Sequence, residues 1–558
     1  MEYYPPYSKS VESSGIFEYV SGESYGIVNG KKVENNRALN GDIVSVSDSR
    51  VVNVETRSDK LIVGILHLDT NQKYGFNKKG VPYIKFTSCC GKYPSFIVAC
   101  KKRQNIAIYA AIRFNRWNTN DKRPVGQIEH YIGNIGDNTS ETDMLLFLNG
   151  IYPKKIKREF CREVSIGKDI DYRTFSIDPE GCRDIDDAFH FYGNHGGDGG
   201  EEEVEVGIHI ANVARHLEWI KTNLYSTIYL ENGQINMLDD LHTFQKCSLG
   251  NGERKLALSL ILKYSRDGDK LLDYYFKESV LVNTSYAYAD SNSDIGNLLE
   301  FTKKITGKME MNSCEMVEYF MILYNSKVAE KLYNSENKGD TILRTHKING
   351  SNGSNGSNGS NETKGDEVLD KFLERIEMQA AEYCIEPEDT SHQSLSLKYY
   401  THATSPIRRF VDIINQNMII SQIDSSYSWN RENYGFEIGE INKFGKCLRK
   451  FYNNYKKLKI IYSDTKYENI DAYIIKIKNN RVKIYIPSLD ITCNFELVSR
   501  RIINAADIDY RVVEDSNGVS REAHLNGESY LLYDKIKINI TQLKYENIFS
   551  RKLKITLI

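Results

Sequence analysis

Four aspartates fall within the run Asp178-Pro179-Glu180-Gly181-Cys182-Arg183-Asp184-Ile185-Asp186-Asp187-Ala188, and this block constrains the fold more than any other feature of the chain. Carboxylates this close repel one another unless a cation sits among them. The flanks argue against a solvated acidic loop. Thr174 to Ile177 read as the end of a strand, Pro179 and Gly181 make a turn, and Ala188 to Phe191 resume an apolar stretch. The EF-hand spacing Asp-x-Asp-x-Asp-Gly is not met. Hard carboxylate oxygens suit Mg²⁺ or Mn²⁺, and Mg²⁺ is commonly held by a few carboxylates together with substrate phosphate. The block points to metal-assisted phosphodiester chemistry.

A length of 558 residues implies about three to four domains. Hydrophobic residues at 40% and charged residues at 27% are ordinary for a soluble globular chain. No apolar run approaches a membrane span. The start Met1-Glu2-Tyr3-Tyr4-Pro5-Pro6 has no secretory pattern. The ten cysteines include one close pair, Cys89-Cys90, and no Cys-x-x-Cys, so zinc ribbons and redox motifs are not expected. A reducing compartment, cytoplasm or nucleus, is expected.

A net charge of −2 gives no global signature of nucleic-acid binding, so local distribution matters. Basic stretches occur at Lys101-Lys102-Arg103, from Lys154 to Arg162 and from Arg449 to Lys459. The last interleaves Phe451, Tyr452 and Tyr455 with Lys456, Lys457 and Lys459. That pattern suits single-stranded nucleic acid, but it also describes a solvated helix face with its rings turned into a core.

Residues 1–58 read as short strands with Gly turns, from Gly15–Val20, Tyr25–Gly30 and Asn40–Val46, and suggest a small barrel. Residues 59–160 repeat the pattern at Leu61–Leu66, Tyr83–Phe86, Ser95–Ala99 and Ile106–Phe114. The centre, 161–462, is mixed: strand-like at Val204–Ile210, helical at Cys314–Tyr333, Val368–Ala381 and Arg408–Ile423. Asn194–Glu203 reads as a hairpin loop, and the Asn-Gly-Ser repeats of 349–361 as a disordered insertion. Residues 463–558 return to strands, with a hairpin signal at Asn479-Asn480.

The aspartate block and further signatures, in this order, resemble the ribonuclease II and ribonuclease R family, which includes exosome-type exoribonucleases. They are Gly207-Ile208-His209-Ile210-Ala211-Asn212-Val213, Ser226-Thr227-Ile228-Tyr229-Leu230, Met237-Leu238, Cys247-Ser248-Leu249 and Leu256-Ala257-Leu258-Ser259. Leu343-Arg344-Thr345-His346 follows the helix containing Glu318, and the longest match is Tyr400-Thr401-His402-Ala403-Thr404-Ser405-Pro406-Ile407-Arg408-Arg409-Phe410-Val411-Asp412. Trp117, Pro124-Val125-Gly126 and Gly133-Asn134-Ile135-Gly136-Asp137 resemble the family's second cold-shock barrel. The resemblance implies a multidomain α+β chain: two cold-shock, OB-like barrels (1–58 and 59–160), a mixed catalytic domain (161–462) and an S1-type OB barrel (463–558). Asn212 replaces a common aspartate, Met237-Leu238 lacks flanking prolines, and Gln416-Asn417 stand where His-Arg is common. No endonuclease-like domain fits before Gly15, so one nuclease activity is expected.

The implied activity is a processive 3′→5′ exoribonuclease that needs Mg²⁺, or Mn²⁺, and releases nucleoside 5′-monophosphates. Single-stranded RNA is the expected partner and a monomer the catalytic unit; an RNA-binding regulator with weak catalysis is the alternative. Asp178 and Asp187 are assigned as main metal ligands. Asp184 and Asp186 complete the second site or hold the terminal ribose, and both carry catalysis. Arg408 is the phosphate clamp, because its planar fork matches two phosphate oxygens. Arg409 is structural or contacts the RNA backbone; for both arginines the plain alternative is a helical salt bridge to Asp412. Tyr229 and Tyr288 contact the terminal nucleotides. His402 and His346 are given structural roles, and Ser405 has no His/Asp set to make it a nucleophile.

Overall fold

The computed structural model describes the chain apart from residues 1–12, 21, 153–165, 168, 194–202, 218–219, 221, 291, 336–337, 346–365, 388, 479–480, 497–509, 515–519 and 526–527. The expected hairpin loop after Asn194, the 349–361 insertion, the Asn479-Asn480 turn, the basic stretch 154–162 and His346 all lie outside the described residues. The chain forms two compact units, Met1–Pro153 with Cys447–Ile558, and Lys154–Lys446.

Alternating apolar residues start the first unit. β1 (Ser13–Ile16), β2 (Glu18–Tyr19), β3 (Tyr25–Val28), β4 (Lys31–Glu34), β5 (Ile43–Ser47) and β6 (Arg50–Thr56) make one sheet in the order β1-β5-β6-β4-β3-β2. Phe17, Val28, Val33, Val44 and Val51 fill its core. No ladder joins β1 to β2 among the described residues, so this sheet does not close as the next one does. β7 (Ile62–Leu66), β8 (Tyr83–Ser88), β9 (Phe96–Ala99), β10 (Ile108–Arg116) and β11 (Val125–Asn134) form a closed barrel around Leu66, Phe86, Phe96 and Ile112. α1 (Asn138–Leu148) follows, its N-terminus capped by the Asp137 carboxylate, which accepts from the Ser140 N–H at 2.9 Å.

In the second unit, β12 (Tyr172–Asp178), β13 (Asp187–Gly193) and β14 (Glu203–Ala211) precede α2 (Val213–His216) and the hairpin β15 (Ile228–Leu230) and β16 (Gly233–Ile235). The long strands β17 (Arg254–Ser265) and β18 (Leu271–Ala287) complete a closed barrel in the order β12-β13-β14-β17-β18, with β12 parallel to β18. α3 (Ser293–Thr306), α4 (Ser313–Tyr333), β19 (Ile342–Thr345), α5 (Glu367–Ala380), β20 (Glu382–Ile385) and α6 (Phe410–Ile423) follow. α4 starts on a capping box between Asn312 and Glu315.

α6 is buried from Phe410 through Ile420, so its polar residues need partners inside the unit. Gln416 finds them on the strand-to-helix turn: its Nε2 donates to the Ala211 carbonyl (2.7 Å) and its Oε1 accepts from the Ala214 N–H (3.3 Å). Asn417 Oδ1 accepts from the Tyr434 hydroxyl at 2.9 Å. Asn212, also a departure from the family pattern, donates to Glu278 Oε1 at 2.7 Å, and Arg215 Nε donates to the same oxygen at 2.7 Å. These departures are absorbed by local hydrogen bonding.

α7 (Ile438–Tyr462) contains the boundary between the units. The first unit then resumes with β21 (Tyr467–Lys478), β22 (Arg481–Ile486), β23 (Ile491–Glu496), β24 (Tyr510–Glu514), β25 (Ser520–Leu525), β26 (Glu528–Leu531), β27 (Lys535–Gln542) and β28 (Leu553–Leu557). They pair as β23-β22-β21-β27-β28 and, separately, as β24-β25-β26. The end of the chain is fastened to the closed barrel of this unit. The Phe549 N–H donates to the Cys89 carbonyl at 3.0 Å. Lys552, 2% exposed, lies 3.9 Å from Glu141, which is 1% exposed and accepts from the Tyr109 (2.9 Å) and Tyr462 (2.7 Å) hydroxyls.

Candidate active site

The aspartate block is a strand end, a turn and a strand start. Asp178 closes β12, the Cys182 N–H donates back to the Pro179 carbonyl (3.1 Å), and Gly181 supplies the φ of +80° that this turn requires. Asp187 then opens β13 opposite Ile210. Between them the chain is held from both sides. Ser248 accepts from the Ile185 N–H (3.0 Å) and donates to the Arg183 carbonyl (2.9 Å), while Leu249 N–H donates to the Ile185 carbonyl (3.0 Å). The Cys247-Ser248-Leu249 signature is therefore a clamp on the acidic loop.

A cavity of about 490 Å³ in the second unit collects all eight sequence-predicted site residues: Asp178, Asp184, Asp186, Asp187, Tyr229, Tyr288, Arg408 and Arg409. Asp186 is 4% exposed; its Oδ1 accepts from the Ile407 N–H (2.9 Å) and its Oδ2 from Arg408 Nε (3.1 Å). Burial pushes its carboxyl up to about 7, against the opposing pull of Arg408 and the Ile407 hydrogen bond. Burial likewise raises Asp178 to about 6, and its Oδ2 is enclosed without a hydrogen-bond partner. Asp187 is held well above the usual carboxylate range by burial, then by Asp178 and Asp186. Asp184 accepts from the Tyr229 hydroxyl.

Residues ahead of α6 supply the cations. Arg408 and Arg409 precede the helix rather than lying on it, which divides them. Arg409 donates to Asp412 Oδ1 from Nε (3.2 Å) and Nη2 (2.8 Å) and takes the salt bridge that sequence spacing offered to both. Arg408 turns to Asp186 and donates from Nη2 to Ser405 Oγ (2.8 Å), leaving its side chain 42% exposed at the cavity. The Thr227 N–H donates to the Arg408 carbonyl (3.0 Å) and the Phe410 N–H to the Tyr225 carbonyl (3.1 Å), so the arginine segment is tied to the strand that leads to Tyr229. Tyr288, just after β18, has its hydroxyl pushed up to about 12 by burial, then by Cys314 and Asp187. His402 is half-buried, meets the Tyr383 hydroxyl through Nδ1 (2.6 Å), and is held well below the usual histidine range by desolvation and by Arg409. Ser405 serves Arg408 and Asp412.

Sequence reasoning left out one wall of the cavity. Val317, Glu318, Met321, Ile322 and Asn325 line it from α4. Their spacing on one helix stripe was the available signal, but such a stripe reads first as core. No three His, Cys, Asp or Glu side chains among the described residues converge closely enough to hold an ion by themselves. The donor set still fits a hard divalent cation. Asp178 brings an unpaired enclosed oxygen, Asp187 a carboxylate whose charge burial opposes, and Mg²⁺ typically needs only one or two carboxylates once phosphate oxygens join it.

The chain matches the RNB domain over residues 168–297 and 290–424, and the Dis3-like cold-shock domain 2 (CSD2) over 83–150. It is 23% identical over 545 residues to the exosome complex exonuclease RRP44 of Mus musculus, covering 80% of this chain and 55% of the relative. The chain thus spans about half the length of that curated relative. In fold it resembles Mycoplasma genitalium RNase R in complex with ribose-methylated single-stranded RNA, with TM-score 0.70, 15% identity, and coverage of 98% of this chain and 100% of the other. It also resembles yeast Ssd1, a pseudonuclease, with TM-score 0.57, 15% identity, and coverage of 87% and 78%. The RNB match falls on the unit that carries the aspartate cavity and the CSD2 match on the closed barrel of the other, so the chain carries an RNB domain together with a Dis3-like cold-shock domain.

Proposed function

We propose that this chain is a 3′→5′ exoribonuclease that hydrolyses single-stranded RNA processively to nucleoside 5′-monophosphates, with Mg²⁺ or Mn²⁺ held by Asp178 and Asp187 and completed by Asp184 or Asp186. The observation that carries the reading is the convergence of four carboxylates and one exposed arginine fork in a single cavity. A divalent ion bound there supplies an activated water and neutralises phosphate charge. The chain's own residues do the rest. Arg408, already oriented by Asp186 and Ser405, presents its fork to the scissile phosphate and stabilises charge that grows on it. Arg409, fixed by Asp412, braces the same segment and faces the RNA backbone from the cavity wall. Tyr229 and Tyr288 pack against the terminal nucleotides, and the Tyr229 hydroxyl holds Asp184 beside the terminal ribose. Contacts to the 2′-hydroxyls discriminate against DNA. The domains divide as 1–58, 59–160, 161–462 and 463–558, with the barrels gathering RNA for a monomeric catalytic unit inside the cell. Among the described residues no helix is long and apolar enough to cross a membrane.

The likeness to Ssd1 favours a second reading, an RNA-binding regulator with weak catalysis. Retention of all four motif acids argues for the nuclease. The test is digestion of 5′-labelled single-stranded RNA, with DNA of the same sequence in parallel, in Mg²⁺ and then in EDTA. Shortening of the labelled RNA from its 3′ end to a short 5′-labelled remnant, absent with DNA and abolished by EDTA, supports the nuclease. Binding without turnover supports the regulator.

A further inference from the structure

Asn283 is 1% exposed on β18, in an alternation of buried residues that includes Ser279 and Leu281. A buried amide costs free energy unless each of its groups finds a partner. This one does. Its Oδ1 accepts from the hydroxyl of Thr174 (3.1 Å), the residue beside it in the parallel ladder of β12 and β18. Its Nδ2 donates to Ser176 Oγ (3.1 Å) and to the Leu249 carbonyl (2.8 Å), with Ser285 Oγ farther off at 3.4 Å. The Leu249 carbonyl can only accept, so the amide has one orientation.

Each of the two short donor bonds leads to a different half of the acid block. Ser176 and Asp178 lie two residues apart on β12, hence on one face. Having accepted from Asn283, Ser176 keeps its own hydroxyl hydrogen for Asp178: burial raises that carboxyl, and the hydrogen bond from Ser176 opposes the rise. On the other arm, the Leu249 N–H donates to the Ile185 carbonyl (3.0 Å), and Ile185 stands between Asp184 and Asp186. The backbone repeats this tie, since the Gly252 N–H donates to the Asn283 carbonyl at 2.9 Å. Asp178 and the segment Asp184–Asp186 lie on opposite sides of the Pro179–Cys182 turn, yet both are referred to one side chain that itself makes no hydrogen bond to a carboxylate among the described residues.

We infer that Asn283 is a positioning residue that sets Asp178 against Asp184 and Asp186, so that its amide governs how tightly the cavity holds a divalent ion. This rests on the reading of those aspartates as metal ligands. Without the amide the two halves of the block move independently, and the carboxylates no longer meet an ion together. A partner that orients a ligand is typically worth about 10- to 100-fold in metal affinity.

The test titrates Mn²⁺ into the full chain, with 5′-AMP present to supply phosphate oxygens, and reads the EPR signal of the free ion. Asn283→Leu keeps the volume of the side chain and removes the amide. It is expected to weaken Mn²⁺ binding about 10- to 100-fold and to leave RNA affinity in EDTA unchanged, because the ion takes no part there. It should also lower kcat at limiting Mg²⁺, and further Mg²⁺ should restore it. Ser176→Ala cuts only the arm to Asp178 and should weaken Mn²⁺ binding about tenfold; it decides the matter if Asn283→Leu does not fold. Asp187→Asn serves as the reference for loss of a ligand. If Asp187→Asn weakens Mn²⁺ binding while Asn283→Leu, or Ser176→Ala in its place, binds the ion as wild type does, the metal reading stands and the positioning role falls, whatever the melting temperatures. If none of the variants changes Mn²⁺ binding, the metal assignment falls and the positioning role falls with it.

Discussion

Asp186 and Arg408 lie 222 residues apart in the chain and meet at 3.1 Å in the cavity, where the arginine also reaches Ser405. Both Asp186 oxygens are already engaged, one by Ile407 and one by Arg408. Its carboxylate therefore orients the phosphate clamp as well as adding charge to the acidic cluster. Asp186→Asn should retain RNA binding and lower turnover by a few hundred-fold, the usual effect of removing one strongly acting electrostatic group. Single-turnover RNA digestion checks it, and near-normal turnover removes Asp186 from the mechanism.

The same cluster sets a pH dependence. Asp178 and Asp186 sit near 6 and 7, above the ordinary carboxylate value of about 3.9. The folded protein thus keeps protons that the unfolded chain releases, so stability is lost as pH rises from about 4 to about 7. His216, lowered to about 4 by burial and then by His242, acts in the opposite sense, losing stability as pH falls below about 6.5. Comparing wild type with Asp186→Asn isolates the carboxylate. In EDTA, the variant should melt above wild type at pH 8 and match it at pH 4. Mg²⁺ should raise the wild-type melting temperature more at pH 8 than at pH 5. Identical curves for the two proteins at every pH would refute the assignment.

Asn212 donates to Glu278, which also accepts from Arg215. Restoring the aspartate common in the family, Asn212→Asp, would set two carboxylates against each other and lose that donor. The expected cost is about 1 to 3 kcal/mol, read from urea denaturation, with RNA affinity unchanged. A neutral or stabilising outcome would mean that Arg215 alone satisfies both acids.

Lys552 and Glu141 form a buried ion pair that holds the C-terminal segment against the closed barrel of the first unit. Lys552→Met leaves Glu141 charged and enclosed, at an expected cost of about 3 to 5 kcal/mol. Adding Glu141→Gln should recover much of it, and guanidinium melts of the single and double variants measure the coupling. For the same reason, cutting the chain at residue 463 strips a buried partner from the barrel. Point variants, not truncation, are the sound probe of the C-terminal strands in RNA capture.

The sequence by itself determined the local elements that bear the chemistry. Short apolar runs bounded by turn residues located β7, β8, β9, β12 and β14, and three helical patterns matched α4, α5 and α6 within two residues at their ends. The acid block and the arginine segment were legible because clustered carboxylates and a planar guanidinium suit metal and phosphate, whereas Tyr229 and Tyr288 were legible only through their place in the family resemblance. Tertiary structure alone decided what each of them touches. Spacing offered Asp412 equally to Arg408 and Arg409; the helix begins only after both, so Arg409 takes Asp412 while Arg408 is free to reach Asp186. The α4 wall of the cavity was hidden because a helix stripe facing a cavity is written like one facing a core. Pairings between residues hundreds of positions apart depend on chain packing, and no local pattern encodes them.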